Sequence, residues 1–168
     1  MAFVFYNQSL ISFATYDDLV QRDQRILEAN EGITENNVDD YLSQASQRIL
    51  TQIRNTDWWK TTCFKMMPTL QHDLRLLPVV DPTCIKSRYQ EFIDLNVYFA
   101  LKDYLYPAVA DFGNPDSAEV AKINFYRDQY DKLFQDLIQS GDWYDFDADG
   151  TIETGEKFPS IVNRVRVR

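Results

Sequence analysis

Twelve consecutive residues, Asp145-Phe146-Asp147-Ala148-Asp149-Gly150-Thr151-Ile152-Glu153-Thr154-Gly155-Glu156, carry the most specific chemistry in this sequence. The spacing of their acids and of Gly150 is that of an EF-hand calcium loop. Such a loop would hold Ca²⁺ through hard oxygen ligands. Asp145, Asp147 and Asp149 would supply carboxylate oxygens and Thr151 its backbone carbonyl. Glu153 would hold a bridging water, and Glu156 would close the shell bidentately. Gly150 permits the sharp turn. The five carboxylates of this stretch repel one another unless a cation sits between them. The alternative is an acidic turn that borrows the geometry and holds metal weakly or never. The flanks fit less well than the loop. Gly141 ends the incoming helix early, Pro159 opposes an outgoing one, and the sequence has no second such loop to pair with. A calcium switch that opens a helix pair is therefore not expected. A cation that orders the C-terminal segment is the sharper expectation.

No other group of residues points to catalysis. Cys63, His72 and Asp81 are residue types that could serve as nucleophile, base and orienter, but nothing around them in the sequence supports such a site, and the bland reading is polar loop residues. The five glycines are scattered and make no phosphate-cradling loop. With 17 basic and 26 acidic residues the formal charge is −9, a surface that repels nucleic acid except as passing cargo. Two cysteines, Cys63 and Cys84, are too few for a disulfide scaffold and read as free thiols. Met1–Tyr16 lacks a basic start and is interrupted by Asn7, Gln8 and Ser9, so it does not read as a secretory leader. No apolar run approaches the roughly 20 residues of a membrane helix. An enzyme is the least supported class.

The elements that must position the loop read as mostly α. Residues 1–14 form an arm, in which Phe3–Tyr6 could make a short strand with nothing nearby to pair. A bundle domain follows over 15–140. Its first helix, 15–30, starts at the capping box of Thr15 and Asp18 and ends at Gly32. The second, 36–54, is capped by Thr34 or Asn36 and places Val38, Leu42, Ala45, Ile49 and Ile53 on one face. Asp39 and Asp40 in its first turn are partners of the helix dipole. Residues 55–80 read as a long aromatic loop. The third helix, 82–106, starts at Asp81-Pro82 and stops at Pro107; being apolar on most sides, it is the expected centre. The fourth, 115–139, starts at Asn114-Pro115 and ends at Gly141. The tail, 141–168, contains the acidic loop and a terminal strand over 161–168. The expected fold is a four-helix bundle with a long aromatic loop between helices 2 and 3 and an extended, strand-like tail.

Two segments read as contacts with other molecules. Trp58 and Trp59 in the long loop read either as a satellite core or as interface anchors, and the interface is the favoured expectation. In the terminal segment, which Val162 opens as a further partner-binding residue, Val165 and Val167 would face an apolar pocket, while Arg164, Arg166 and Arg168 would meet acidic groups on a partner's sheet edge.

The order of these elements resembles a known family. Ala14–Leu19 reads ATYDDL, Val38–Ser46 reads V-x-x-Y-L-x-x-A-S, a long loop follows, and an aromatic-rich helix closes on Tyr104-Leu105-Tyr106. This is similar to the head-to-tail connector proteins of tailed bacteriophages, also called adaptor, head-completion or neck proteins. The stretch from Trp143 to Lys157 with its Arg/Val tail also looks like a C-terminal segment of some neck proteins. The resemblance implies a homo-oligomeric ring, usually of twelve copies, bound to the portal at the head–tail junction of the virion and assembled in the host cytoplasm. The ring would extend the DNA channel and present a surface to the next neck or tail protein, with no membrane contact. A calcium-binding scaffold or regulatory protein using residues 145–156 is the competing class.

Overall fold

The structure, a computed structural model, describes residues 3–7, 9–25, 33–70, 72–111, 113 and 117–157. The arm does find a partner, which is itself. Strand β1 (Val4–Tyr6) pairs antiparallel with β2 (Ser9–Ser12), with Phe5 opposite Leu10 and Tyr6 opposite Ser9. Asn7 takes a left-handed conformation in the turn (φ 48°), which asparagine tolerates better than most residues. The hairpin is fastened inward by Phe3 and Phe13, whose rings pack edge-on at 4.8 Å and both reach Phe92. Buried polar contacts lock its register. The Phe13 N–H donates to Ser46 Oγ at 3.0 Å, and Asn96 Nδ2 donates to Ser12 Oγ at 2.9 Å.

The described residues are mostly helical. Helix α1 (Tyr16–Arg22) starts on the expected capping box, with Thr15 Oγ1 accepting from the Asp18 N–H and the Asp18 carboxylate accepting from the Thr15 N–H. It ends far earlier than expected, because Asp23 leaves the helix and turns its carboxylate into the core. Gly32, the expected terminator, lies outside the described residues. Helix α2 (Glu35–Asn55) is capped by Thr34 and buries the expected Val38, Leu42, Ala45, Ile49 and Ile53. Loop 55–80 is not a loop at its start. Thr56 caps a further helix, α3 (Asp57–Met66), its hydroxyl accepting from the Trp59 N–H at 3.2 Å. The single break at Thr56 turns the chain, and α3 then folds its tryptophans back onto the core.

Helix α4 (Tyr89–Ala100) is the central element, packing against α2 and against α6 (Ala118–Ser140). Phe92, Leu95 and Ala100 are fully buried along it. Its start corrects the reading of Asp81-Pro82. That pair begins only a 3₁₀ turn (Pro82–Cys84), with Asp81 accepting from the Thr83 N–H at 2.9 Å. The helix waits until Tyr89, because residues 84–86 are hydrogen-bonded to the segment after α6. Pro107 also does not stop the helix. A π-helical turn (Leu101–Leu105) leads into α5 (Tyr106–Val109), placing Pro107 in the first turn of a new helix, where its missing N–H costs nothing. Helix α6 is capped by Ser117 and closes on Gly141 in the left-handed conformation, φ 54°. Asn114-Pro115, the expected start, lies outside the described residues. No helix among those described is long and apolar enough to cross a membrane.

Candidate metal centre

The acidic loop is positioned by backbone pairing and by aromatic packing. After Gly141 the chain runs antiparallel to residues 84–88. The Asp145 N–H donates to Cys84 O at 2.9 Å, the Lys86 N–H donates to Trp143 O at 2.9 Å, and Ile85 bridges Tyr144. Arg88 fixes the entry by gripping Asp142 with two nitrogens, Nε at 2.6 Å and Nη2 at 3.1 Å, while its Nη1 reaches Glu91. Arg88 does this from a left-handed backbone (φ 57°), a conformation that a non-glycine residue holds only under tertiary constraint. The Asp142 hydrogen bonds push the Arg88 guanidinium up, and those same bonds hold the Asp142 carboxyl below its ordinary range.

All three tryptophans stand beneath the loop. Trp143 is fully buried, donates Nε1–H to Leu137 O at 2.8 Å and packs on Trp58 at 4.8 Å and Phe92 at 5.0 Å. Phe146, inside the acidic run, is wedged against Trp58, Trp59 and Tyr144 with centroids 4.8–5.8 Å apart. This corrects the reading of Trp58 and Trp59 as surface anchors. They are 4% and 1% exposed and form the floor under the loop. As adjacent residues at the start of α3 they point to neighbouring parts of one core.

On this floor Asp145, Asp147 and Asp149 converge, each offering an oxygen within 4.8 Å of the others. Asp145 is fully buried, and its Oδ2 accepts from the Gly150 N–H at 2.8 Å. Asp147 accepts from the Asp149 N–H at 3.2 Å, and Asp149 accepts from the Thr151 N–H and hydroxyl at 2.8 and 2.9 Å. Gly150 sits at φ 98°, where a side chain would be strained. Glu156 is 2% exposed and folded into the loop, accepting from the N–H groups of Phe146 at 2.6 Å, Asp147 at 3.2 Å and Glu153 at 2.9 Å. For Asp147, the hydrogen bond from Asp149 pulls its carboxyl down. Desolvation and the charges of Asp149 and Glu156 push it up and prevail. Asp149 is held low by the two Thr151 donors. Such a set of oxygens, without His or Cys, suits a hard divalent cation.

Among the six expected ligand residues, the structure draws Asp145, Asp147 and Asp149 together and folds Glu156 across them. Thr151 and Glu153 contribute backbone bonds to the same turn. Lys65 was not foreseen: its Nζ donates to Gly155 O at 2.7 Å and ties the loop to α3. Nor was the Arg88–Asp142 clamp, which joins residues 54 positions apart and leaves no local signal. Val162, Arg164, Val165, Arg166, Val167 and Arg168 lie outside the described residues. Cys63, His72 and Asp81 share no hydrogen bond. The Cys63 thiol is buried and pushed up to about 11, while His72 packs on Phe64 at the surface. No family model matches the chain, and no curated protein or solved structure is significantly similar to it.

Proposed function

We propose that this chain is a structural assembly protein, the ring-forming adaptor of a phage neck, which joins the portal of the head to the next neck or tail protein. The observation that carries this reading is a fixed apolar display between α3 and α4. Leu74, Leu76 and Val79 are 58%, 56% and 72% exposed. Scattered surface leucines need no explanation, but a cluster held on pinned backbone does. Arg54 Nη2 donates to Leu77 O at 2.8 Å, and Trp59 Nε1–H donates to Pro78 O at 3.4 Å, so the segment is anchored behind the exposed side chains. The hairpin makes a second display with Phe5, Tyr6 and Ile11. Between the two runs a groove of about 520 Å³, lined by Leu10, Leu50, Arg54 and Val79 among others. Two different apolar displays suit a head-to-tail contact between copies, the kind that closes into a ring.

In this reading the helices pack as a four-helix bundle, twelve copies surround a channel, and the net charge of −9 lets DNA pass without sticking. The terminal strand over 161–168 adds to the portal or to a neighbouring subunit. The protein resides in the virion and acts without catalysis. Electron microscopy of the purified protein tests the reading. Rings are expected, alone or on portal-containing heads, and Leu76→Asp should abolish them while leaving the helical spectrum intact. A protein that stays monomeric and leaves such heads undecorated would overturn it. A second reading, a calcium-dependent scaffold, draws on the carboxylate cluster, and it predicts instead that partner binding, not ring formation, follows calcium.

A further inference from the structure

The acidic loop contains a buried carboxylate, one oxygen of which the protein itself leaves without a partner. Asp145 is fully buried, and its Oδ1 has no hydrogen-bond partner although it is sealed from solvent. A carboxylate oxygen in that position needs a donor or a cation, because burial strips its water without replacement. Its surroundings supply neither. Among the described residues, the ion pairs of the molecule all lie elsewhere, at Asp94, Asp57, Glu91, Asp142, Asp103 and Asp23. Lys65, whose side chain is bonded to the loop, is turned to a backbone carbonyl. What does face Asp145 is two more carboxylates, with oxygens of all three within 4.8 Å. Glu156, locked beside them by three backbone donors, keeps one spare lone pair, on Oε2, since each carboxylate oxygen has two and Oε1 accepts two of the three bonds.

We infer that residues 145–156 form a structural Ca²⁺ site in which Asp145, Asp147 and Asp149 are the primary ligands and Glu156 closes the shell. The cation fastens the segment after α6 onto the tryptophan floor. Calcium fits better than magnesium, because an irregular, many-oxygen loop suits its larger and more variable shell. The site is a staple rather than a switch. Its two anchors, Phe146 in the aromatic cluster and Lys65 on α3, join it to a packed core. Among the described residues no pair of helices flanks the loop to be opened: α6 ends at Ser140, before residues 143–145 pair with 84–86. The inference stands apart from the ring proposal, since it concerns a single chain.

The test is titration of the full-length protein, stripped with EDTA, with CaCl₂, followed by calorimetry, tryptophan emission and thermal melting. One Ca²⁺ per chain is expected, with a change in emission because all three tryptophans lie under the loop, and with a higher Tm that EGTA reverses. MgCl₂ at the same concentration should shift Tm less. Asp147→Asn and Asp149→Asn, both exposed and so tolerated by the fold, should each weaken binding at least tenfold. Asp145→Asn should abolish it, and in EDTA its Tm should equal or exceed that of the wild type, because an unpartnered buried charge has been removed. An Asp145 that serves only to hold Gly150 would instead lower Tm equally in EDTA and in calcium. That result, the absence of any calcium-dependent heat or Tm change in the wild type, or wild-type affinity in Asp147→Asn and Asp149→Asn, overturns the inference.

Discussion

Asp23 and Asp145 are both buried acids, and they are held in opposite ways. Asp23 ends α1 and meets Lys122 Nζ at 2.7 Å, the Tyr126 hydroxyl at 2.8 Å and the Tyr106 hydroxyl. Burial pushes its carboxyl up, but the hydrogen bonds from Lys122, Tyr106 and Tyr126 outweigh that and hold it low. Burial, reinforced by the same carboxylate, drives both tyrosine hydroxyls far above their usual range. Every oxygen of Asp23 therefore has a donor supplied by the fold. Asp145 has a single backbone N–H and two neighbouring carboxylates. A buried anion with its own cation reinforces a fold without outside help. One surrounded by other anions lacks that internal compensation.

The largest expected effect removes what the two regions share. Trp143 is fully buried and joins α6, α4 and the acidic loop. Trp143→Ala should cost about 3–5 kcal/mol in urea unfolding, with and without calcium. A loss below about 1 kcal/mol would mean that the loop and the helical body do not rest on one core. Phe92→Ala, at the centre of α4, should cost a similar amount.

Next comes the self-sufficient acid. Asp23→Ala should destabilise by about 2–3 kcal/mol, since it strands Lys122 and two buried hydroxyls. The loss should be identical in CaCl₂ and EDTA. A calcium-dependent loss would break the distinction between the two acids.

Acid unfolding sharpens the comparison further. Asp23 and Asp142 have carboxyls depressed below the ordinary value of 3.8. Their stabilisation is complete above that value and fades as pH falls through their lower folded-state values. Stability should therefore drop steeply below about pH 4, and Asp23→Asn should flatten the drop. An unchanged slope would show that Asp23 titrates alike in the folded and unfolded states.

Smaller effects are expected at the edges. Arg88→Ala should cost about 1 kcal/mol, because its grip on Asp142 is bidentate but partly exposed. Part of the loss would show as weaker calcium binding through a looser entry to the loop. Leu76→Ser, at 56% exposure, should change monomer stability by less than about 0.5 kcal/mol while reducing ring formation seen in the microscope. If it unfolds the monomer instead, the segment carrying Leu74, Leu76 and Val79 belongs to the core and not to a contact.

Local chemistry was legible in the sequence because it acts within a turn or two. The capping box of Thr15, the Thr34 cap, the apolar face of residues 38–53 and the left-handed stop at Gly141 all depend on neighbours three or four positions away. The spacing of Asp145, Asp147, Asp149 and Glu156 likewise dictated that these groups share one loop. Tertiary structure decided what these signals could not reach. It paired the hairpin, whose second strand is held by Ser46 and Asn96 from distant helices. It delayed α4 from Pro82 to Tyr89 because residues 84–86 pair with 143–145. It buried Trp58 and Trp59, whose aromatic character suits a core as well as an interface, since burial is fixed by what the rest of the chain brings above them. It also decided the different surroundings of Asp23 and Asp145. Whether a buried acid has a cation depends on where residue 122 lies, and no periodicity in the chain reports a distance across 99 positions.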